Sequence, residues 1–390
     1  MRTLDIAERR ARLARRHLLS PAHRAGDVLS CTDALVCLHA TDTATTYLAL
    51  WARVGGVAVA DIDKAMYADR SLVKHLCMRR TLFVFRSELF GVVQAAASDR
   101  VADQETRRLA KDVEKAGLFE DGASWLAAAS AAALEGLDTL GEATSTELRA
   151  AAPLLEGSIE YAPDKKWGGR ISVGPRVLNC LSAQGEVVRA TNRGPWHLSR
   201  PSWARTSTWL GFTPARVPER EARAELVGRW LRAFGPATLT DLKWWLGSTI
   251  TAARAALADV GAVEVTVEGV GPGWLLPDDL EVEAPVEPWA ALLPALDPST
   301  MGWSERDWYL GEHKAQIFDS TGNGGMTAWW DGRIVGGWNQ QPDGEVYLQL
   351  LEDVGSDGRA ALEAEAARLS GWLEGVYVAP RFPSPLSRSV

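Results

Sequence analysis

Residues able to do chemistry gather at His39-Ala40-Thr41-Asp42. There the apolar run Ala34-Leu35-Val36-Cys37-Leu38 stops, and a new pattern, Tyr47, Leu50, Trp51 and Val54, begins at helical spacing. A neutral imidazole accepts a hydrogen bond from water and, with an ordinary pKa of about 6.5, can take its proton as a general base. A threonine hydroxyl both donates and accepts. Alternate residues of an extended stretch point the same way, so His39 and Thr41 can present ring and hydroxyl to one ligand. The plainer alternative is a histidine satisfied by a neighbouring carbonyl. Asp42 has two roles open to it: a cap for the free N–H groups of the following helix, or a base and electrostatic partner beside the histidine.

The elements that position these groups can be read outward from them. The spacing predicts helix, short polar junction and helix over Thr32–Val54. Upstream, residues 4–19 read as a helix with Ile6, Leu13 and Leu18 inward and Arg9, Arg12 and Arg16 on a basic face, ended by Pro21. Downstream, a short helix over Val59–Ala68 leads into SLVKHLCMRRTLFVF, which alternates as two strands meeting near Met78-Arg79. Three helices and a β-ribbon are the pattern of a winged helix, a variant of the helix-turn-helix DNA-binding motif. Arg79 and Arg80 then fall at the wing, where a phosphate contact or an exposed basic turn are both open readings.

The rest of the chain repeats this order with different spacings. Ala-rich helices run from Ser87 to Gly117 and from Ser124 to Leu137, and Thr144 to Glu147 has the form of a capping box. A helix near Pro175 to Ser182, with strands near Val187 to Ala190 and around Trp196, makes a second winged helix. Here Trp167, Trp196 and Trp203 interleave with Lys165, Lys166, Arg170, Arg193 and Arg200, which can set cations on phosphates and indoles on sugars or bases, though tryptophan is also ordinary core. A third unit starts at Pro218, and from about Pro288 the chain is strand-rich, with Asp331-Gly332 and Asp343-Gly344 as hairpin turns and a final strand at VYVAP. The expected fold is α+β: winged helices over 1–86, 87–215 (with a helical linker) and 216–286, then a β-rich C-terminal domain over 287–390.

A net charge of −8 argues against a protein that coats nucleic acid indiscriminately, but the charge is segregated. Seven arginines face two acids in residues 1–24, and eight Lys/Arg face Glu186 alone in residues 165–205, whereas acids collect in residues 278–287 and 352–365. One basic face suits a polyanion, although either patch alone reads equally as a solvated helix surface. No run approaches the roughly 20 apolar residues of a membrane span, and the N-terminus lacks a secretory h-region, so a cytoplasmic site is expected. Cys31, Cys37, Cys77 and Cys180 lack zinc-ligand spacing and are expected as reduced, buried thiols. Without GxxxxGK[ST], HExxH or GxSxG, no metal or organic cofactor is implied.

Four stretches together resemble the winged-helix DNA glycosylase family of AlkZ and YcaQ: LHATDTATTYLALWAR (38–53), RRTLFVF (79–85), LLPALDP (292–298) and WWDGRIVGGWNQQPDGEV (329–346). The resemblance implies hydrolysis of the N-glycosidic bond of bulky or cross-linked alkylpurines in DNA. The family carries Gln-x-Gln or Gln-x-Asp at the junction, so its catalytic role passes to His39 and Thr41 by position and not by identity, with Asp42 as the alternative base. The expected partner is double-stranded DNA with an N7-alkylated purine, approached near the nucleoid by one copy of the chain. Arg9, Arg12, Arg16, Lys165, Lys166, Arg170, Arg193 and Arg200 are the expected phosphate contacts. A winged-helix protein without catalysis, acting as a regulator or lesion-sequestering factor, is the rival expectation. An apolar small-molecule pocket lined by tryptophans is a third.

Overall fold

Aspartates start the helices that carry the junction. The Asp27 carboxylate accepts from the N–H groups of Leu29 and Ser30 at 2.8 and 2.9 Å and opens the helix Val28–Ala34; Asp5 caps Ile6–Arg16 and Asp42 caps Thr43–Trp51. The structure, a computed structural model, describes residues 2–161 and 168–388, so Lys165, Lys166 and Trp167 lie outside the described residues.

Between the second and third of these helices in chain order lies a two-residue strand, Leu38–His39, where the sequence reads as a short, extended polar junction. It is one edge of an antiparallel three-stranded sheet, with Thr81–Arg86 in the centre and Leu72–Cys77 on the other side. The central strand holds Leu82, Phe83, Val84 and Phe85, all buried. Buried backbone must find partners, and the strand takes them from the chain around His39. At the turn of the ribbon, Arg79 and Arg80 have φ of 55° and 60°, a region L-residues rarely adopt.

A second sheet has the order Glu142–Thr144, Pro201–Arg205, Val187–Asn192. Trp196 lies between its strands and not in one; Gly194 and Pro195 cannot sustain a ladder there. The third sheet pairs Val263–Val267 with Gly271–Leu275 and adds Thr3–Leu4 in parallel, Thr3 opposite Thr266, so the first residues join a sheet far along the chain. The fourth runs Ala290–Leu293, Thr327–Trp330, Arg333–Gln340, Val346–Leu350, with the helix Gly355–Leu373 packed on it. Its Asp331-Gly332 turn has positive φ at both residues, 46° and 78°, as a two-residue hairpin of the right twist needs. The terminal VYVAP forms no strand; Val378 N–H donates to the Gln340 side chain at 2.8 Å instead.

One buried ion pair fastens the helix after the junction to the C-terminal region. Arg53 and Asp297, both 0% exposed, meet in two-point fashion at 2.6 and 2.8 Å. The guanidinium also donates to the carbonyls of His17 and Ala49 and to Ser299 Oγ, so every edge is satisfied.

Candidate functional site

Strand register fixes which way each group of the junction points. His39 pairs with Phe83 and Phe83 with His75, while the neighbouring row is Leu38, Val84 and Lys74. Paired residues share a face and successive residues alternate. His39 and Lys74 therefore leave opposite faces of the sheet. The His39 ring meets Phe83 edge-on at 5.3 Å between centroids.

His39 is 7% exposed. Its Nδ1 accepts from the backbone N–H of Thr41 at 3.4 Å, so the neutral ring carries its proton on Nε2, which has no protein partner among the described residues. Burial first, and the charge of Arg79 second, lower its pKa to about 3. The expected general base is thus a weak one. What His39 offers is a neutral N–H donor. Thr41 is half-buried, and its hydroxyl has no protein partner among the described residues.

Asp42 is occupied on both sides. One oxygen caps the helix by accepting from Ala44 N–H at 3.3 Å, and the other accepts from Arg381 N–H at 3.1 Å. Burial raises its pKa, opposed by these two hydrogen bonds and by the charges of Arg381 and Lys74. Arg381 also donates from Nη1 to the Thr41 carbonyl at 3.2 Å, so the C-terminal segment is tied along the junction.

Several expected phosphate contacts have other partners. Arg12 is 2% exposed and held by Glu8 and Asp279, each at 2.9 Å. Arg16 forms a two-point pair with Asp279, and Arg9 is buried over the Trp308 ring at 4.2 Å, its pKa lowered to about 10 by desolvation. The basic helix face thus points inward, because the acidic stretch 278–287 packs on it. Arg79 stacks on Trp244 at 4.0 Å, and its neighbour Arg80 is exposed but paired with Glu105. Arg170, Arg193 and Arg200 are exposed; Arg193 pairs with Glu147 at 2.9 Å and Arg170 donates to Ser158. Trp203 is core, and Trp196 packs between Tyr47 and Trp372 at 5.2 and 5.4 Å.

Sequence reading missed three cations near the junction: Lys74, Arg189 and Arg381. Only Lys74 left a signal, as a charge inside the apolar strand LVKHLC. All four cysteines are buried and free. Among the described residues no group of three or more His, Cys, Asp or Glu could hold a metal ion, and no helix is long and apolar enough to cross a membrane.

The family described as DNA glycosylase AlkZ-like matches residues 32–372, which include the junction, the ribbon and the paired Arg53 and Asp297. The chain belongs to the AlkZ-like DNA glycosylase family. A curated relative, the interstrand DNA cross-link repair glycosylase of Streptomyces sahachiroi, is 27% identical over 204 residues, covering 50% of this chain and 53% of the relative. The match spans about half the length of that relative. The solved structure of Streptomyces sahachiroi DNA glycosylase AlkZ superposes with a TM-score of 0.74 at 22% identity, covering 98% of this chain and 99% of that one. At that identity the likeness speaks for the fold. Within this AlkZ-like chain, two of the four stretches singled out in the sequence work together: LHATDTATTYLALWAR builds the junction, while its Arg53 and the aspartate of LLPALDP hold it against the C-terminal sheet.

Proposed function

We propose that this AlkZ-like protein is a monofunctional DNA glycosylase that hydrolyses the N-glycosidic bond of N7-alkylated purines, bulky adducts included, in double-stranded DNA. The three three-stranded sheets are read as the ribbons of three winged helices that carry the duplex, with a β-rich domain behind them, and one copy of the chain suffices. The observation that carries the reading is the pair of unpartnered groups at the junction, His39 Nε2–H and the Thr41 hydroxyl, within the region that matches the family.

Alkylation at N7 makes the purine cationic, so it departs as a neutral base without prior protonation. The enzyme must hold water against C1′ of an oxocarbenium-like sugar. His39 Nε2–H donates to one lone pair of the water and Thr41 Oγ1 accepts one of its protons. The second lone pair is left to attack C1′, and the surplus proton passes to bulk solvent once the C–O bond has formed. A histidine with its pKa lowered to about 3 suits this role, since it orients the water without charging. Asp42 acts as a positioning residue that sets the start of the helix and the course of the C-terminal segment.

Base release from a duplex carrying one N7-alkylguanine, read as alkali-labile strand breaks, tests the reading. The wild type releases the base. His39→Ala loses about 100-fold, the scale of a misplaced reactant. DNA binding without release from small or bulky adducts would leave the rival, a DNA-binding protein without catalysis.

A further inference from the structure

The sheet face opposite His39 carries an uncompensated cluster of cations. Lys74 is 9% exposed and its Nζ has no hydrogen-bond or ion-pair partner among the described residues. Strand Leu72–Cys77, which carries it, packs beside strand Val187–Asn192, which carries Arg189. The charges of Arg189 and Asp42 both act on Lys74, and that of Arg381 acts on Arg189. Lys74 and the exposed Arg381 thus flank one carboxylate, Asp42, whose oxygens already hold two backbone N–H groups, and Arg189 lies close to both cations. The Arg189 guanidinium donates to Asn179 at 3.1 Å and lies 4.9 Å from the Trp203 ring centroid, yet its Nε is buried without a partner.

Buried charges are normally paired, because leaving water is costly and like charges raise that cost. An unpaired lysine beside an incompletely satisfied arginine is therefore a site short of an anion. It also has an approach. Arg189 lines a cavity of about 400 Å³ together with Thr144, Asn179, Arg193, Arg200 and Trp203, so a path runs from Arg189 past Arg200, and past Arg193 with its Glu147 partner, to the surface.

We propose that Lys74, Arg189 and Arg381 form a binding site for a phosphodiester group of the DNA strand, reached through the Arg193/Arg200 cavity. This deepens the glycosylase reading and rests on it for the identity of the strand, since the chemistry alone would also take free phosphate. Asn179 orients Arg189, and Asp42 keeps the site from rejecting its own cations before the phosphate arrives.

The test uses the full chain and undamaged duplex, so that no base release is needed. Binding is measured against salt for wild type, Lys74→Met and Arg16→Gln, whose side chain is already paired with Asp279 and Glu283. Each lost phosphate contact lowers the slope of log K on log[salt] by about 0.9. The wild type and Arg16→Gln should share one slope, and that of Lys74→Met should be shallower by about that amount. In parallel, inorganic phosphate should raise the melting temperature of the wild type more than chloride does at equal ionic strength, and should not do so for Lys74→Met. Lys74→Met removes an unpaired buried charge and should fold at least as well as wild type. An unchanged slope in a folded Lys74→Met overturns the site. A phosphate shift without a slope change marks a site for free phosphate and overturns its assignment to DNA. Failure of base release with the slope change intact would sink the glycosylase reading alone.

Discussion

The carboxylate of Asp42 accepts the backbone N–H of Arg381, 339 residues further along the chain, at 3.1 Å. A residue that the sequence offers as a possible base is in the fold a joint between the start of a helix and the C-terminal segment. Asp42→Asn keeps the shape and one acceptor oxygen, so it should release bases within a few-fold of wild type. It should lose about 1 kcal/mol of stability, the usual scale for one hydrogen bond, because the amide can accept from only one of the two N–H groups. A 100-fold loss of release with stability unchanged would return Asp42 to the role of base.

Acid should weaken the fold through buried histidines. His39 has its pKa lowered to about 3 and His75 to about 4, and His17 is also well below the usual value, each chiefly by burial. A group whose folded pKa lies below its unfolded value binds protons first in the unfolded chain, so stability rises with pH between the two values and falls as pH drops through that window. At pH 5.5 each such group favours unfolding by about 1.4 kcal/mol relative to neutral pH, taking an unfolded pKa of about 6.5. Denaturant titrations at pH 7.5, 6.5 and 5.5 should show this decline, made shallower by His75→Gln. Single-turnover base release should meanwhile show no ionisation near pH 6.5.

The pair of Arg53 and Asp297 should matter to stability more than any surface bridge. Asp297→Asn leaves a fully buried guanidinium without its counter-charge and should cost about 3–5 kcal/mol. Replacing both residues, as Arg53→Met with Asp297→Leu, should cost less than the sum of the single changes. Chemical denaturation of the four proteins in a double-mutant cycle measures the coupling.

Arg12→Gln and Arg16→Gln should leave the salt dependence of DNA binding unchanged, because both side chains already answer Glu8, Asp279 and Glu283. Their effect should appear as a lowered melting temperature, larger for Arg12 because it is the more deeply buried. Arg200→Gln, exposed on the second unit, should instead lower the salt slope by about 0.9 if it meets one phosphate.

Local signals in the sequence carried well where one side chain decides the outcome. Thr144 with Glu147 and the Asp331-Gly332 turn both formed as their residue types require. The Met78–Arg80 turn likewise fell between two strands. What could not be read was set by distant partners. Arg12 and Arg16 have helical spacing that looks like a solvent face, and only the return of residues 279–283 turns it inward. Lys74 looked like one more strand residue until strand Val187–Asn192 brought Arg189 beside it. His39 was legible as a candidate, but its tautomer and its weak basicity depend on Thr41 N–H, on Arg79 and on burial that no spacing reveals.

The most direct measurement is single-turnover release of an N7-alkylguanine from duplex DNA by wild type, His39→Ala, Thr41→Val and Asp42→Asn, with DNA affinity measured for each. The junction described here predicts release by wild type, a loss of about 100-fold in His39→Ala, a smaller loss in Thr41→Val, near-normal release by Asp42→Asn, and similar affinity throughout. Undiminished release by His39→Ala would contradict it and place the chemistry elsewhere in the chain.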